Sequence, residues 1–170
     1  RTEAEKALKD AKEILQTLGL TLHPEKTRIT KIGWGFEFLG YKVKRGKGLK
    51  LPTSKIKKGP NRQNIYAIPT EKSVKRFMDT IRERTKRKIP LNMQDLINWI
   101  NPVIRGWGNY YRKAHVRRLF NRLQGWIVRR IWSHRFKRWR NAGWKRYPEP
   151  ALYQTFKLVN LLELIPDLKR

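Results

Sequence analysis

Residues 105–118 read RGWGNYYRKAHVRR. Three aromatic rings, five lysines or arginines and a histidine crowd into this stretch, and the fold turns on how they divide. At about 100° per residue, a helix puts Trp107, Tyr110 and Tyr111 on one face and Arg105, Asn109 and Arg112 on the other. The simpler arrangement packs the rings inward as part of a helical core and leaves the cations for a ligand. The alternative uses the rings as a stacking platform for bases. Further on, Val116, Leu119, Phe120, Leu123, Trp126, Ile127 and Ile131 form a second apolar stripe, opposite Arg117, Arg118, Arg122 and Arg129. The two stripes are out of phase, and one straight helix would have to bury both its faces. A break is therefore expected between Arg112 and Val116.

Working backwards, a helix should begin near Asn92, with Met93, Leu96, Ile97 and Ile100 on one side, and Pro102 should bend or restart it. Val74, Phe77, Met78 and Ile81 mark another helix, capped at Thr70 or Ser73. From Lys42 to Thr70 no acidic residue occurs, and KRGKGLKLPTSKIKKGPNR (44–62) has no helical period, which suggests a basic hairpin and a linker. In WGFEFLGYKV (34–43), Trp34, Phe36 and Phe38 alternate with other residues as a strand requires. LTL (20–22) and KTRITKI (26–32) are expected as further short antiparallel strands. Over residues 2–18, Ala4, Ala7, Leu8, Ala11, Ile14, Leu15 and Leu18 make a helical stripe that Gly19 should stop. The pattern is α+β, with a mixed part at 1–70 and a helical part at 71–170.

Composition bounds the partner. The 170 residues carry a formal net charge of +28 and a pI near 11.1. Such an excess self-repels, and a phosphate backbone neutralises it with release of counterions. No apolar run approaches the roughly 20 residues of a membrane span, so a membrane is not expected as partner. Seven Trp, six Tyr and six Phe supply the apolar surface that a disordered basic tail lacks. The expectation is a folded protein that binds nucleic acid.

Catalytic chemistry is not visible. Two-metal catalysis needs carboxylates converging on ions about 3.5–4 Å apart, and the 13 Asp and Glu include no adjacent pair. His23, His115 and His134 lack metal-ligand spacing and read as surface or structural imidazoles. Cysteine is absent, so there is no thiolate metal site. Arg1 lies in what reads as a running helix, so the chain is expected to be a fragment.

Two motifs carry a family resemblance. LGLTLHPEKTRI…GFEFLGYKV (18–43) resembles the end of the palm in reverse transcriptases encoded by group II introns. WINPVIRGWGNYYRKA (99–114) resembles the maturase-specific thumb, or domain X, of the same proteins. The motifs stand in the family's order, and with their flanks they cover most of the chain.

The resemblance implies a palm end at 1–70 with a primer-grip hairpin and a helical thumb at 71–170. Lys26 matches a lysine that lies near the incoming nucleotide and helps protonate the leaving group. Phe38, Leu39, Gly40 and Tyr41 match the primer grip. Arg105, Asn109, Arg112, Lys113, Arg117, Arg118, Arg122 and Arg129 would hold RNA or the template-primer, around a thumb core that includes Trp107, Tyr110 and Tyr111. The implied partners are group II intron RNA, an RNA template with a DNA primer or target DNA, and the fingers and upstream palm of the same protein. The family's metal-binding aspartates have no match here and would lie before Arg1. The parent would be a Mg²⁺-dependent RNA-directed DNA polymerase, this chain alone would be inactive, and no cofactor is expected in it. Its place would be the bacterial cytoplasm or nucleoid, or alternatively an organelle. A splicing factor that lost polymerase activity, or a retron, diversity-generating or CRISPR-associated relative, are the other readings.

Overall fold

The computed structural model describes residues 2–45, 65–135 and 143–166. Most of the expected basic hairpin and linker, at 46–64, lies outside them. The chain divides into two compact units, one of Arg1–Phe36 with Lys44–Asn64 and one of Glu37–Val43 with Ile65–Arg170.

In the first unit, helix α1 spans Thr2–Thr17. Its end follows from Gly19, which takes φ +71°. The amide of Leu20 bonds the carbonyl of Leu15 at 2.9 Å and that of Gly19 bonds Gln16 at 3.0 Å, the paired bonds of a Schellman stop. None of the α1 side chains is buried, Ile14 included, and Leu18 just beyond the helix is exposed as well. The expected strands at 20–22 and 26–32 do not form. A strand is stable only when a neighbour takes up its amides and carbonyls, and these residues instead make turns such as Thr27 N to His23 O at 3.0 Å.

Three strands form one antiparallel sheet in the order β1-β2-β3: β1 at Phe36–Phe38, β2 at Tyr41–Arg45 and β3 at Ile65–Pro69. Trp34 falls in the turn before β1, not in the strand. The third strand was not expected from the sequence. It also explains why the compact units do not part at residue 70, because β3 and residues 37–43 belong with the helices.

The helices of the second unit begin with α2, Glu71–Arg84. Thr70 is its cap, with Oγ1 accepting from Ser73 N at 3.3 Å. Helix α3 runs Met93–Tyr111 behind Asn92, whose side chain accepts from Asp95 N at 2.8 Å. Pro102 does not restart it: α3 is one element, and the proline sits on its exposed side. The missing amide removes one backbone bond, while Ile97, Ile100 and Ile104 stay fully buried on the opposite face. Helix α4 is Arg117–Arg135, so the break falls where the two apolar stripes change phase. Helices α5, Gly143–Arg146, and α6, Glu149–Gln154, then lead to a short 3₁₀ turn at Leu162–Leu164.

One core joins α2, α3, α4 and α6, with Phe77, Ile81, Leu96, Ile100, Phe120, Ile127, Leu152 and Leu161 among its buried members. The C-terminal segment is part of that core. A Cβ on Gly108 would lie 2.5 Å from Leu164 Cδ1 and 2.8 Å from Leu161 Cδ2, so α3 needs a glycine where this segment crosses it. Buried Gln124 accepts from Leu161 N at 3.0 Å and donates to Tyr153 Oη at 3.0 Å. Asn101 accepts from Val159 N and donates to Lys157 O, both at 2.9 Å. That second bond steadies Lys157, whose φ of +59° an L side chain rarely adopts.

Candidate nucleic-acid interface

The site rests on how α3 divides its aromatics. Trp107 stacks on Phe77 with centroids 4.5 Å apart, and its Nε1 donates to Ser73 Oγ at 3.2 Å. Tyr111 is 3% exposed and its hydroxyl reaches Gly40 O at 3.2 Å. Tyr110 departs from the expected core position, since it is 51% exposed. It stands at the edge of the stripe, where its ring covers Tyr41 and its hydroxyl donates to Leu39 O at 2.7 Å.

These tyrosines hold the hairpin turn between β1 and β2. Leu39 and Gly40 both have positive φ, +46° and +78°, the pattern of a type I′ turn whose twist suits a hairpin. A leucine in this region costs about 1–2 kcal/mol. The turn's carbonyls are tied down in compensation: Tyr110 bonds Leu39 O, while Tyr111 and the amide of Thr70 bond Gly40 O. Tyr41 in turn donates to the carbonyl of Tyr110. Burial, then the neighbouring Tyr110 and Tyr111, push the Tyr41 hydroxyl above its usual pKa. Phe38 and Leu39 are left exposed beside a hollow of about 430 Å³, into which α2 brings Lys72 and Arg76.

The expected RNA-binding residues are all exposed: Arg105, Asn109, Arg112 and Lys113 at α3 and its end, and Arg117, Arg118, Arg122 and Arg129 on α4. The structure brings Arg118 and Arg122 together with Lys75 and Arg82 of α2 around a second hollow of about 720 Å³. The sequence reading missed the α2 cations Lys72, Lys75, Arg76 and Arg82. Their signal was the charge density of EKSVKRFMDTIRER, read only for its apolar stripe. Lys26 is exposed in a turn of the first unit.

Other cations are structural. Arg130 donates to Thr85 Oγ1 at 3.1 Å and to Thr85 O at 3.3 Å, and Arg87 donates to Ser133 O at 3.1 Å. Arg130 thus sits on the terminal carbonyls of α2, where a helix favours positive charge. Burial, then Arg82 and Arg87, lower its pKa. His134 is buried with Nδ1 3.0 Å from Lys86 O, and Nδ1 of His115 accepts from Ala67 N at 3.4 Å.

Among the described residues no three His, Cys, Asp or Glu come together to hold a metal ion. No helix among them is long and apolar enough to cross a membrane. What the arrangement offers is rows of cations on a rigid apolar scaffold, the means of gripping phosphates.

Residues 74–149 match the family model of the group II intron maturase-specific domain. The chain carries a maturase-specific domain. A search of curated proteins found no match. The matched stretch is somewhat under half the chain and runs from Val74 in α2 to the start of α6. The maturase-specific domain therefore includes the packed aromatics of α3 and every cation row named on α3 and α4. The hairpin turn and the C-terminal segment, which pack into the same unit, lie outside the match.

Proposed function

We propose that this chain is the C-terminal palm and thumb region of a group II intron-encoded reverse transcriptase and maturase. It binds the intron RNA to promote splicing, and in the parent protein it grips the template-primer during RNA-templated DNA synthesis. The observation that carries this reading is the exposed cation surface of α3 and α4 inside a maturase-specific domain. Arg105, Arg112, Arg117, Arg118, Arg122 and Arg129 supply phosphate contacts. The Phe38–Tyr41 turn serves as the primer grip, its tied-down backbone offering a fixed edge to a primer end. Mg²⁺ and the carboxylates that hold it belong to the upstream palm of the parent.

The test is equilibrium binding of structured group II intron RNA to the chain across a salt series. Affinity should fall steeply, each neutralised phosphate contributing roughly −0.7 to −0.9 to the log–log slope. A binding constant nearly indifferent to salt would overturn the reading. The chain alone should extend no primer on an RNA template, and measurable extension would overturn the division of labour with the upstream palm.

A further inference from the structure

The hollow of about 720 Å³ between β3, α2 and α4 is more than a patch of cations. Its floor is apolar: Ile68 from β3, Val74 and Met78 from α2, and Leu119 from α4, each half-buried and so open to a ligand. Its rim carries Lys75, Arg82, Arg118 and Arg122 against one carboxylate, Glu71. Arg82 is partly spoken for, because it pairs with Asp79 and lies over the Trp126 ring. Lys75, from α2, and Arg118 and Arg122, from α4, line the same hollow.

One wall is tied to the sheet by hydrogen bonds. His115, in the α3–α4 connection, is joined twice to Ala67 of β3: its amide donates to the Ala67 carbonyl at 2.9 Å and its Nδ1 accepts from the Ala67 amide. The ring also meets Tyr66 edge-on at 4.9 Å. Because Nδ1 accepts, the neutral ring carries its proton on Nε2, which gives the cleft wall a hydrogen-bond donor.

We propose that this cleft captures one unpaired nucleotide of the bound RNA, its base on the apolar floor of Val74, Met78 and Leu119 and its flanking phosphates on Lys75, Arg118 and Arg122. The proposal rests on the RNA-binding reading above and adds a preference within it. A purely electrostatic site needs no apolar floor, and a paired base cannot reach one; a bulged or looped-out base has a face to bury and edges for the His115 donor. The volume lies within the roughly 300–1,000 Å³ of pockets that enclose a small molecule. The cationic rim selects an anionic occupant over a neutral one.

The experiment compares two RNA hairpins, one fully paired and one with a single bulged 4-thiouridine, each binding the 170-residue chain at one fixed salt concentration. The bulged hairpin should bind about tenfold tighter, and near-ultraviolet light should crosslink its 4-thiouracil to peptides containing residues 74–78 or 115–119. The double variant Met78→Gln, Leu119→Gln leaves the charge unchanged. It should lose the bulge preference and keep the parent's affinity for paired RNA. Equal affinity for the two hairpins, or crosslinks mapping only elsewhere, overturns the proposal while leaving general RNA binding intact. Failure of both hairpins to bind would instead remove the reading on which it rests. Should the variant not fold, the crosslink map of the unaltered chain decides. A glutamate- and leucine-rich helical peptide that protects the cleft from covalent labelling without displacing bulged RNA would assign it to a protein partner and overturn the proposal.

Discussion

The hydroxyl of Tyr111 donates to the carbonyl of Gly40, 71 residues earlier in the chain, at 3.2 Å. The same oxygen lies 2.8 Å from Ser73 Oγ, so the end of α3, the start of α2 and a hairpin turn meet at one phenol. The approach is so close that a Cβ on Gly40 would stand 2.6 Å from Tyr111 Oη. Gly40→Ala should therefore cost about 1–2 kcal/mol for the positive φ alone, and more for the collision. In a Tyr111→Phe background the collision term should vanish, because the next ring atom is 3.8 Å away. Urea unfolding of the four proteins gives the coupling directly.

Trp107 and Arg105 occupy opposite faces of α3 and should separate stability from binding. Truncating a packed large aromatic typically costs about 3–5 kcal/mol, so Trp107→Ala and Tyr111→Ala should lower the melting temperature sharply. Arg105→Ala and Arg112→Ala should change stability by no more than about 0.5 kcal/mol yet weaken RNA binding. Aromatic variants that melt like the parent and still lose RNA would reassign the rings to base stacking.

The C-terminal segment should be released by a single polar substitution. Gln124→Ala removes the partner of the Leu161 amide in a buried setting. Leaving such a group unsatisfied costs about 1–3 kcal/mol. Hydrogen exchange in residues 158–164 should accelerate well before that in Ile97 or Ile100. Uniform acceleration would show that the segment does not open by itself.

Alkaline stability should carry the signature of Tyr153. Its hydroxyl donates to Glu149 Oε1 at 3.0 Å and accepts from Gln124, and its burial pushes the pKa well above 10.0. A raised pKa means that the folded state holds the proton more tightly than the unfolded chain. Its contribution is complete below pH about 10 and is lost as pH climbs toward the raised folded value. Tyr153→Phe should lose the hydroxyl's hydrogen bonds, about 1 kcal/mol at neutral pH, and should show a shallower decline above pH 10. Equal slopes for the two proteins would contradict the shift.

Much of the helical part was legible because its signals are local. Thr70 and Asn92 cap their helices with their own side chains, Gly19 stops α1 with its own φ, and the phase change at 112–116 needs only counting. What was not legible depends on distant partners. Strand β3, IYAIP, is too short and too poorly alternating to announce itself without β2 beside it, and LTL and KTRITKI look like strands but find no ladder. Gln124 and Asn101 read as ordinary helix polars, since their roles arise from a segment more than thirty residues later. At the interface, charge density was visible, but which cations are consumed as Arg130 and Arg87 are, and which ring a cleft, depends on how α2 meets α4.

The glycine at 108 sets an order on synthesis. Helix α3 is complete about fifty residues before Leu161 and Leu164, the side chains that cover it there, are made. At roughly 5–20 residues per second, α3 waits some seconds with part of its apolar face uncovered. During that interval the nascent helical unit is open to chaperones, and its cations to the polyanionic ribosome from which it emerges.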